Sequence, residues 1–207
     1  MKFTHQQILE LDKRYRGNLI NSIHGYKPAN IIGTVSREGV TNVALFSSVV
    51  HLGATPPLIG FIQRPVSVQR DTYENIMTTG YYTINHVHSS FYRKAHATSA
   101  RFEKDVSEFK ACGLTEEYLG DHAAPYVKES LIKIGMKYEA AYPIPLNDTI
   151  LIAGSVQEIH IPVELVGDDG DIDLQQAGDV CISGLYSYHK PQKLEKLPYA
   201  KADNIVL

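Results

Sequence analysis

The sequence predicts an α+β fold, mainly β, on an antiparallel sheet or closed barrel. Three observations point there. Strand-like runs occupy both ends of the chain with helical patterns between them. The turn SREG between two apolar runs is a hairpin signal. In SLIKIGMKYEAAY, Ile132, Ile134, Met136 and Tyr138 alternate with Lys133, Gly135, Lys137 and Glu139, the pattern of a strand with one solvated face.

Each element follows from local pattern. Residues 4–23 carry two apolar clusters, Ile8, Leu9 and Leu11 and then Leu19, Ile20 and Ile23, which predict a helix ended by Gly25 and Pro28. Residues 29–35 and 40–50 read as strands around SREG. Pro56-Pro57 opens a third strand over 58–63, and Pro65 closes it. Asp71 and Thr72 are placed to cap a helix over 71–78, with Glu74 at capping-box distance from Asp71. The Tyr, Thr, Ile and Val of 81–87 favour strand. Ser89 or Ser90 opens a second helix running to about Ser99. Short helices and loops around Gly113 and Gly120 fill 101–129. Pro143 and Pro145 punctuate the alternating strand. Residues 149–161 form a long strand with Gly154 as a candidate bulge, and GDVCISGLYSY supplies another strand. With no internal repeat and no low-complexity linker, residues 1–207 read as one domain.

Composition narrows the function classes. The 207 residues carry a formal net charge of −3 with dispersed basic residues, which gives no reason to expect nucleic acid or an anionic membrane as partner. No apolar run approaches a membrane span, and MKFTHQQILELDKR lacks a signal-peptide core, so a cytoplasmic location is expected. Cys112 and Cys181 lack ligand-like spacing and read as reduced thiols. His51, His86, His88 and His96 have no third ligand at zinc-like spacing, so no metal is expected. GDDGDID lacks the closing Glu of an EF-hand loop and reads as a solvated hairpin turn. GxGxxG, P-loop and GxSxG patterns are all missing.

The informative stretch is 41–87. Its apolar residues build a sheet, while Asn42, Ser47, Ser48, Gln63, Arg64, Arg70 and Thr72 offer hydrogen bonds and positive charge. A planar, phosphate-bearing ligand needs that mixture. Phe46-Ser47-Ser48 suits the flat part of a ligand, because small side chains let a ring approach the backbone; it equally suits an ordinary strand end. Two anion seats compete. One is the helix start near Asp71, with Arg70 and Thr72, where unpaired N–H groups meet the positive dipole end. If Asp71 caps that helix, its carboxylate occupies part of the seat and pairs with Arg70. The other is FYRKAHATSARFEK, where a helix sets Lys94, Thr98 and Arg101 at i, i+4 and i+7 with Ser99 beside them; the alternative is a solvated helix face. Lys94 and Arg101 lie farther in sequence from a carboxylate than Arg70 does. The expectation is therefore that phosphate affinity depends on them more than on Arg70.

The motifs TNVALFSS, PPLIGFIQRP, RDTYENI, YTINHV, KAHATSARFEK and VSEFKACGL occur in this order, within a resemblance that runs from roughly Arg16 to Pro198. Through them the chain resembles the flavin reductase-like proteins, the FMN-binding split-barrel family that includes the flavoredoxins. The resemblance implies an antiparallel Greek-key split β-barrel with added helices, a homodimer, and non-covalent FMN near the subunit interface. It implies Asn42, Phe46, Ser47 and Ser48 along the isoalloxazine and ribityl chain, and Gln63 and Arg64 on the next strand. Arg70 and Thr72, or Lys94, Ser99 and Arg101, would lie near the ribityl phosphate. The activity implied is NAD(P)H-dependent FMN reduction, with NADH or NADPH as donor and a monooxygenase or other electron acceptor as partner. The alternative is a flavoredoxin-like electron carrier with tightly held FMN. Because the cofactor carries the hydride chemistry, no catalytic side chain is named.

Overall fold

The structure, a computed structural model, describes residues 1–202. Its N-terminal helical region is two helices, α1 (His5–Glu10) and α2 (Lys13–Ser22), where the apolar clusters predict one. The break has a local cause. The Asp12 carboxylate accepts from the N–H groups of Arg14 at 2.9 Å and Tyr15 at 3.1 Å, so a helix starts anew there. Thr4 and Gln7 form a capping box at the start of α1.

The remaining elements are β1 (Lys27–Pro28), β2 (Asn30–Val35), β3 (Thr41–Phe46), β4 (Val50–Ala54), β5 (Pro57–Gln63), α3 (Asp71–Thr79), β6 (Tyr81–His86), α4 (Tyr92–Ala97), α5 (Glu108–Cys112), β7 (Glu116–Glu117), β8 (Tyr126–Val127), β9 (Lys133–Ile144), β10 (Thr149–His160), β11 (Cys181–Ser183) and β12 (Ser187–His189). Seven strands form one antiparallel sheet in the order β3-β2-β6-β9-β10-β5-β4. Its two edge strands, β3 and β4, are consecutive in the chain and joined by residues 47–49 alone. The sheet therefore curls, bringing the end of one edge strand within three residues of the start of the other, while the two edges remain unpaired. Ile32, Phe61, Tyr82, Ile84, Met136 and Ile152, from five of the strands, converge in one buried cluster, and Ile76 of α3 joins them. This is a split barrel with an apolar lumen. Phe61 packs edge-to-face on Phe46 at 4.9 Å and on Tyr82 at 5.8 Å.

A second core lies outside the barrel. Ile31, Val43 and Val87 meet Phe91 and Ala95 near α4, Phe109 of α5, and Val180 and Ile182 near β11. β2 is thus buried on both faces, and each of its residues 30–34 is buried. β11 and β12 pair with each other and with β1, forming a small three-stranded sheet apart from the barrel.

Several strand limits differ from the sequence pattern for physical reasons. The run 40–50 is not one strand, because the chain leaves β3 at Ser47 to cross to the opposite edge. β9 runs through Pro143: beyond Tyr138 it has lost β6 as neighbour and pairs only with β10, so a missing N–H on its free side costs nothing. The expected bulge at Gly154 is present. A Cβ there would clash with the Tyr82 hydroxyl and the Lys137 carbonyl. The acidic 167–171 segment is a hairpin turn, its Gly167 N–H bonded to Asp171 O at 2.8 Å. Cys112 and Cys181 are free. Among the described residues no helix is long and apolar enough to cross a membrane.

Candidate functional site: the barrel seam and the start of α3

The chain closes the barrel with a side chain. Ser48 Oγ accepts from the Ile62 N–H at 3.1 Å and donates to the Ile62 carbonyl at 3.2 Å, standing in for a ladder partner of β5. Phe46 points inward against Phe61. Ser47 lies half-buried at the seam. Among the described residues, no backbone partner is found for the N–H groups of Ser47 and Ser48. A planar ligand against this seam would therefore meet backbone donors, with Phe46 serving the lumen behind them.

Gln63 ends β5 and is 3% exposed. Its Nε2 donates to Arg64 O at 3.1 Å, whereas Oε1 is buried without a partner. A buried orphan acceptor is costly unless a ligand or water meets it. Arg64 is exposed. Burial first, and then the charge of Arg64, hold the Lys27 ammonium below its usual range. Among the described residues, Lys27 donates to two carbonyls, Gly184 O at 2.6 Å and Asn21 O at 3.5 Å. It is a second cation near Arg64, and the sequence reading did not name it.

At the start of α3 the expected cap does not form. The N-cap is Arg70, and no side chain caps the helix. Asp71 is the first helical residue, and its carboxylate accepts from Gln69 Nε2 at 2.8 Å. Among the described residues, the N–H groups of Asp71, Thr72 and Tyr73 have no partner, as the first turn of a helix leaves them. Arg70 is half-buried; its Nε donates weakly to Pro65 O at 3.4 Å, and among the described residues it forms no ion pair. Among the described residues Asp71 neither caps the helix nor pairs with Arg70.

The rival cation set is not assembled. α4 ends at Ala97, two residues short of the expected limit, and Arg101 lies beyond it. Thr98 is buried, with its hydroxyl on the Ala95 carbonyl at 2.7 Å. Lys94 Nζ donates to Gly113 O at 2.6 Å, which neutralises the C-terminal end of α5. Ser99 and Arg101 are exposed.

Beneath the α3 start lies a buried polar network. Thr34 and Asn42 face each other across β2 and β3. Asn75 Nδ2 donates to Thr34 Oγ1 at 3.0 Å. The Asn42 amide lies between Thr34, Thr72 and the carboxyl of Glu108 on α5. All five residues are less than a tenth exposed. Burial above all, with the Asp71 carboxylate adding, raises Glu108 to about 7 against backbone N–H groups of Glu108 and Val43. A cleft of about 400 Å³ opens beside the network. Five carboxylates line it, those of Glu38, Asp71, Glu103, Asp105 and Glu108, and Lys104 is its one cation. That field repels a phosphate, so the cleft itself is no anion seat. The sequence reading had Asn42 and Thr72 but missed Thr34, Asn75 and Glu108. Thr34 was detectable as a polar residue within the otherwise apolar run 31–35. Glu108 lies in the motif VSEFKACGL, but no local pattern marks its carboxyl as buried.

Among the described residues, no group of three or more His, Cys, Asp or Glu could hold a metal ion. His86 Nδ1 lies 2.5 Å from Asp179 Oδ2, and His96 Nδ1 lies 3.0 Å from the Tyr188 hydroxyl.

Comparison with known proteins agrees with this geometry. Residues 26–172 match the flavin reductase like domain. A structure of a candidate flavin reductase with a split barrel domain from Shewanella frigidimarina is 50% identical, with a TM-score of 0.93 over 97% of this chain and all of that one. Nitrilotriacetate monooxygenase component B from Bacillus cereus is 23% identical, with a TM-score of 0.84 over 95% of this chain and 98% of that one. Flavoredoxin of Desulfovibrio vulgaris is 21% identical, with a TM-score of 0.72 over 86% of this chain and 93% of that one; these two likenesses concern the fold. The chain belongs to the flavin reductase-like, split-barrel FMN-binding family.

Proposed function

We propose that this protein binds FMN and reduces it with NADH or NADPH. The observation that carries the reading is the seat at the start of α3. Three unpaired N–H groups, a positive helix end and an Arg70 without a carboxylate partner together suit a ribityl phosphate. The 50% identity to the candidate flavin reductase supports the activity. In this reading Arg70 and Thr72 hold the phosphate, whereas Lys94, Ser99 and Arg101 do not. The N–H groups of Ser47 and Ser48 read the polar edge of the ring system, and Gln63 Oε1 meets a ligand donor. Bound FMN supplies the redox chemistry as acceptor of a hydride from the nicotinamide. The residues around it orient the ring, exclude water on the barrel side and offer N–H dipoles where negative charge grows.

The same reading includes a homodimer. In one chain α1 and α2 bury no residue, and Leu9, Tyr15, Ile23 and Tyr26 are exposed, as are Val50 and Leu52 on the edge strand β4. A second copy covering these surfaces would remove apolar area and an open strand edge from water. Light scattering at low concentration should give twice the 23.1 kDa chain mass, and a monomer that binds FMN tightly would contradict it.

Steady-state oxidation of NADH and of NADPH, with and without added FMN, tests the activity. Turnover that depends on FMN is expected with at least one donor. Yellow protein that keeps its flavin through dialysis and oxidises neither donor would instead be an electron carrier. Protein that takes up no flavin would refute both.

A further inference from the structure

We infer that Glu108 is a proton-operated positioning residue that acts through the Asn42 amide on the Thr72 hydroxyl, and so on the anion seat at the start of α3. The inference rests on the proposed FMN reading for its ligand, but its mechanism lies in three side chains. The Asn42 amide can sit in its place either way round; the orientation with Nδ2 toward Glu108 satisfies the neighbours when the carboxyl is ionised, and the reverse requires a proton on Glu108. With Nδ2 toward Glu108, the amide donates to both carboxylate oxygens at 2.9 and 3.0 Å. Its Oδ1 then accepts from Thr72 Oγ1 at 3.0 Å, Thr34 Oγ1 at 3.3 Å and the Val43 N–H at 3.3 Å, the last being lost when the amide is reversed, and the Thr72 hydroxyl proton is engaged by Asn42. With Oδ1 toward Glu108, that oxygen meets an acceptor unless the carboxyl carries a proton. Nδ2 then donates to Thr72 Oγ1 at 3.0 Å and Thr34 Oγ1 at 3.3 Å. In that state Thr72 is an acceptor toward Asn42, and its own O–H is released for another acceptor. An anion on the first-turn N–H groups of α3 is such an acceptor in the same turn.

The consequence is a linked proton. Binding a phosphate favours the state with Glu108 protonated, the proton coming from solvent to a Glu108 carboxyl oxygen. The surroundings bias Glu108 the same way. From α3 it faces Asp71; from the loop before α5, Glu103, Lys104 and Asp105; and from the β2–β3 turn, Glu38. Lys104 is engaged by Glu74 at 3.0 Å. On its own helix lies Cys112, whose thiol is pushed up by burial and then by the charge of Glu108. From β7, Glu116 takes the Thr41 hydroxyl at 2.6 Å. Burial, which raises Glu108 to about 7, places this exchange near neutral pH.

Glu108→Gln tests it, because a Gln amide can donate to Asn42 Oδ1 as a protonated carboxyl does. FMN and riboflavin affinities are measured for both proteins between about pH 6 and about pH 8.5. The wild type should weaken toward FMN by about tenfold across that range relative to Glu108→Gln, one linked proton being the limit of the effect. The phosphate's own ionisation near about pH 6 is common to both proteins and cancels in the ratio. Riboflavin should show no such divergence. Superimposable FMN profiles would overturn the inference. In flavin-free wild type, the carboxyl carbon of Glu108 and the side-chain amide of Asn42 should titrate together by NMR. An Asn42 amide that ignores the titration of Glu108 would overturn it as well. If neither protein binds FMN at any pH, the functional reading fails, and this flavin-free titration still decides the relay.

Discussion

The inner faces of β2 and β3 carry two opposite environments within a few residues. Ile32 and Phe46 point into an apolar lumen, whereas Thr34 and Asn42, on the same faces toward the other end, enter a buried polar network under α3. The lumen is held by area burial and close packing, which are indifferent to pH and to ligand charge. The polar end is held by directional bonds that must all be satisfied, and it contains a carboxyl that changes charge near neutrality. The barrel thus separates the part that makes it stable from the part that can respond. Only the second adjoins the unpaired N–H groups and Arg70.

The contrast is sharpest at Phe61. Phe61→Ala should destabilise by about 3–5 kcal/mol in urea unfolding, because it empties the lumen between Phe46 and Tyr82. The surviving folded protein should keep its preference for FMN over riboflavin; a lost preference would mean that the two regions are not separate.

The next effect belongs to Glu108, which is 8% exposed and raised from the ordinary 4.5 to about 7. Between those values the folded protein holds a proton that the unfolded chain has released. Stability should therefore fall as pH rises through that window, by about 1.4 kcal/mol per pH unit and about 3 kcal/mol at most, and level off above it. Glu108→Gln should lack this slope and be the more stable protein above neutrality. Parallel stability–pH curves for the two proteins would contradict the assignment.

Asn42→Ala should cost about 1–3 kcal/mol, since Thr72, Thr34 and Glu108 lose a shared partner in a buried site. The smallest expected loss is at the seam. Ser48→Ala should cost about 1 kcal/mol, because one side chain serves both polar groups of Ile62. A loss as large as that of Phe61→Ala would make the seam part of the core.

The sequence carried much of the lumen and less of the polar end. Strand patterns placed β2, β5, β6 and β10 to within about two residues, since alternation and β-branched runs are local signals. The break at Ser47 was not local: β3 ends there because its two-edged sheet must close, and only the closed barrel shows that. Seven of the eleven candidate ligand residues lie at the seam, at the end of β5 or at the start of α3: Phe46, Ser47, Ser48, Gln63, Arg64, Arg70 and Thr72. Asn42 is buried beneath them, while Lys94, Ser99 and Arg101 lie on or beyond α4. The reading that favoured Lys94 and Arg101 rested on sequence distance from carboxylates. In space Lys94 is engaged by a backbone carbonyl, and Asp71 turns toward Gln69. Glu108 escaped notice because its burial depends on β3 and α3, far from it in the chain.

The most direct measurement is the affinity of FMN relative to riboflavin in wild type, Arg70→Ala and Lys94→Ala. A charge-assisted bond to the phosphate is worth about 1.5–3 kcal/mol, so Arg70→Ala should lose about tenfold or more in FMN affinity with riboflavin little changed. Lys94→Ala should match wild type with both flavins. An FMN-selective loss in Lys94→Ala with Arg70→Ala unaffected, or equal losses for both flavins in Arg70→Ala, would contradict a phosphate seat at the start of α3.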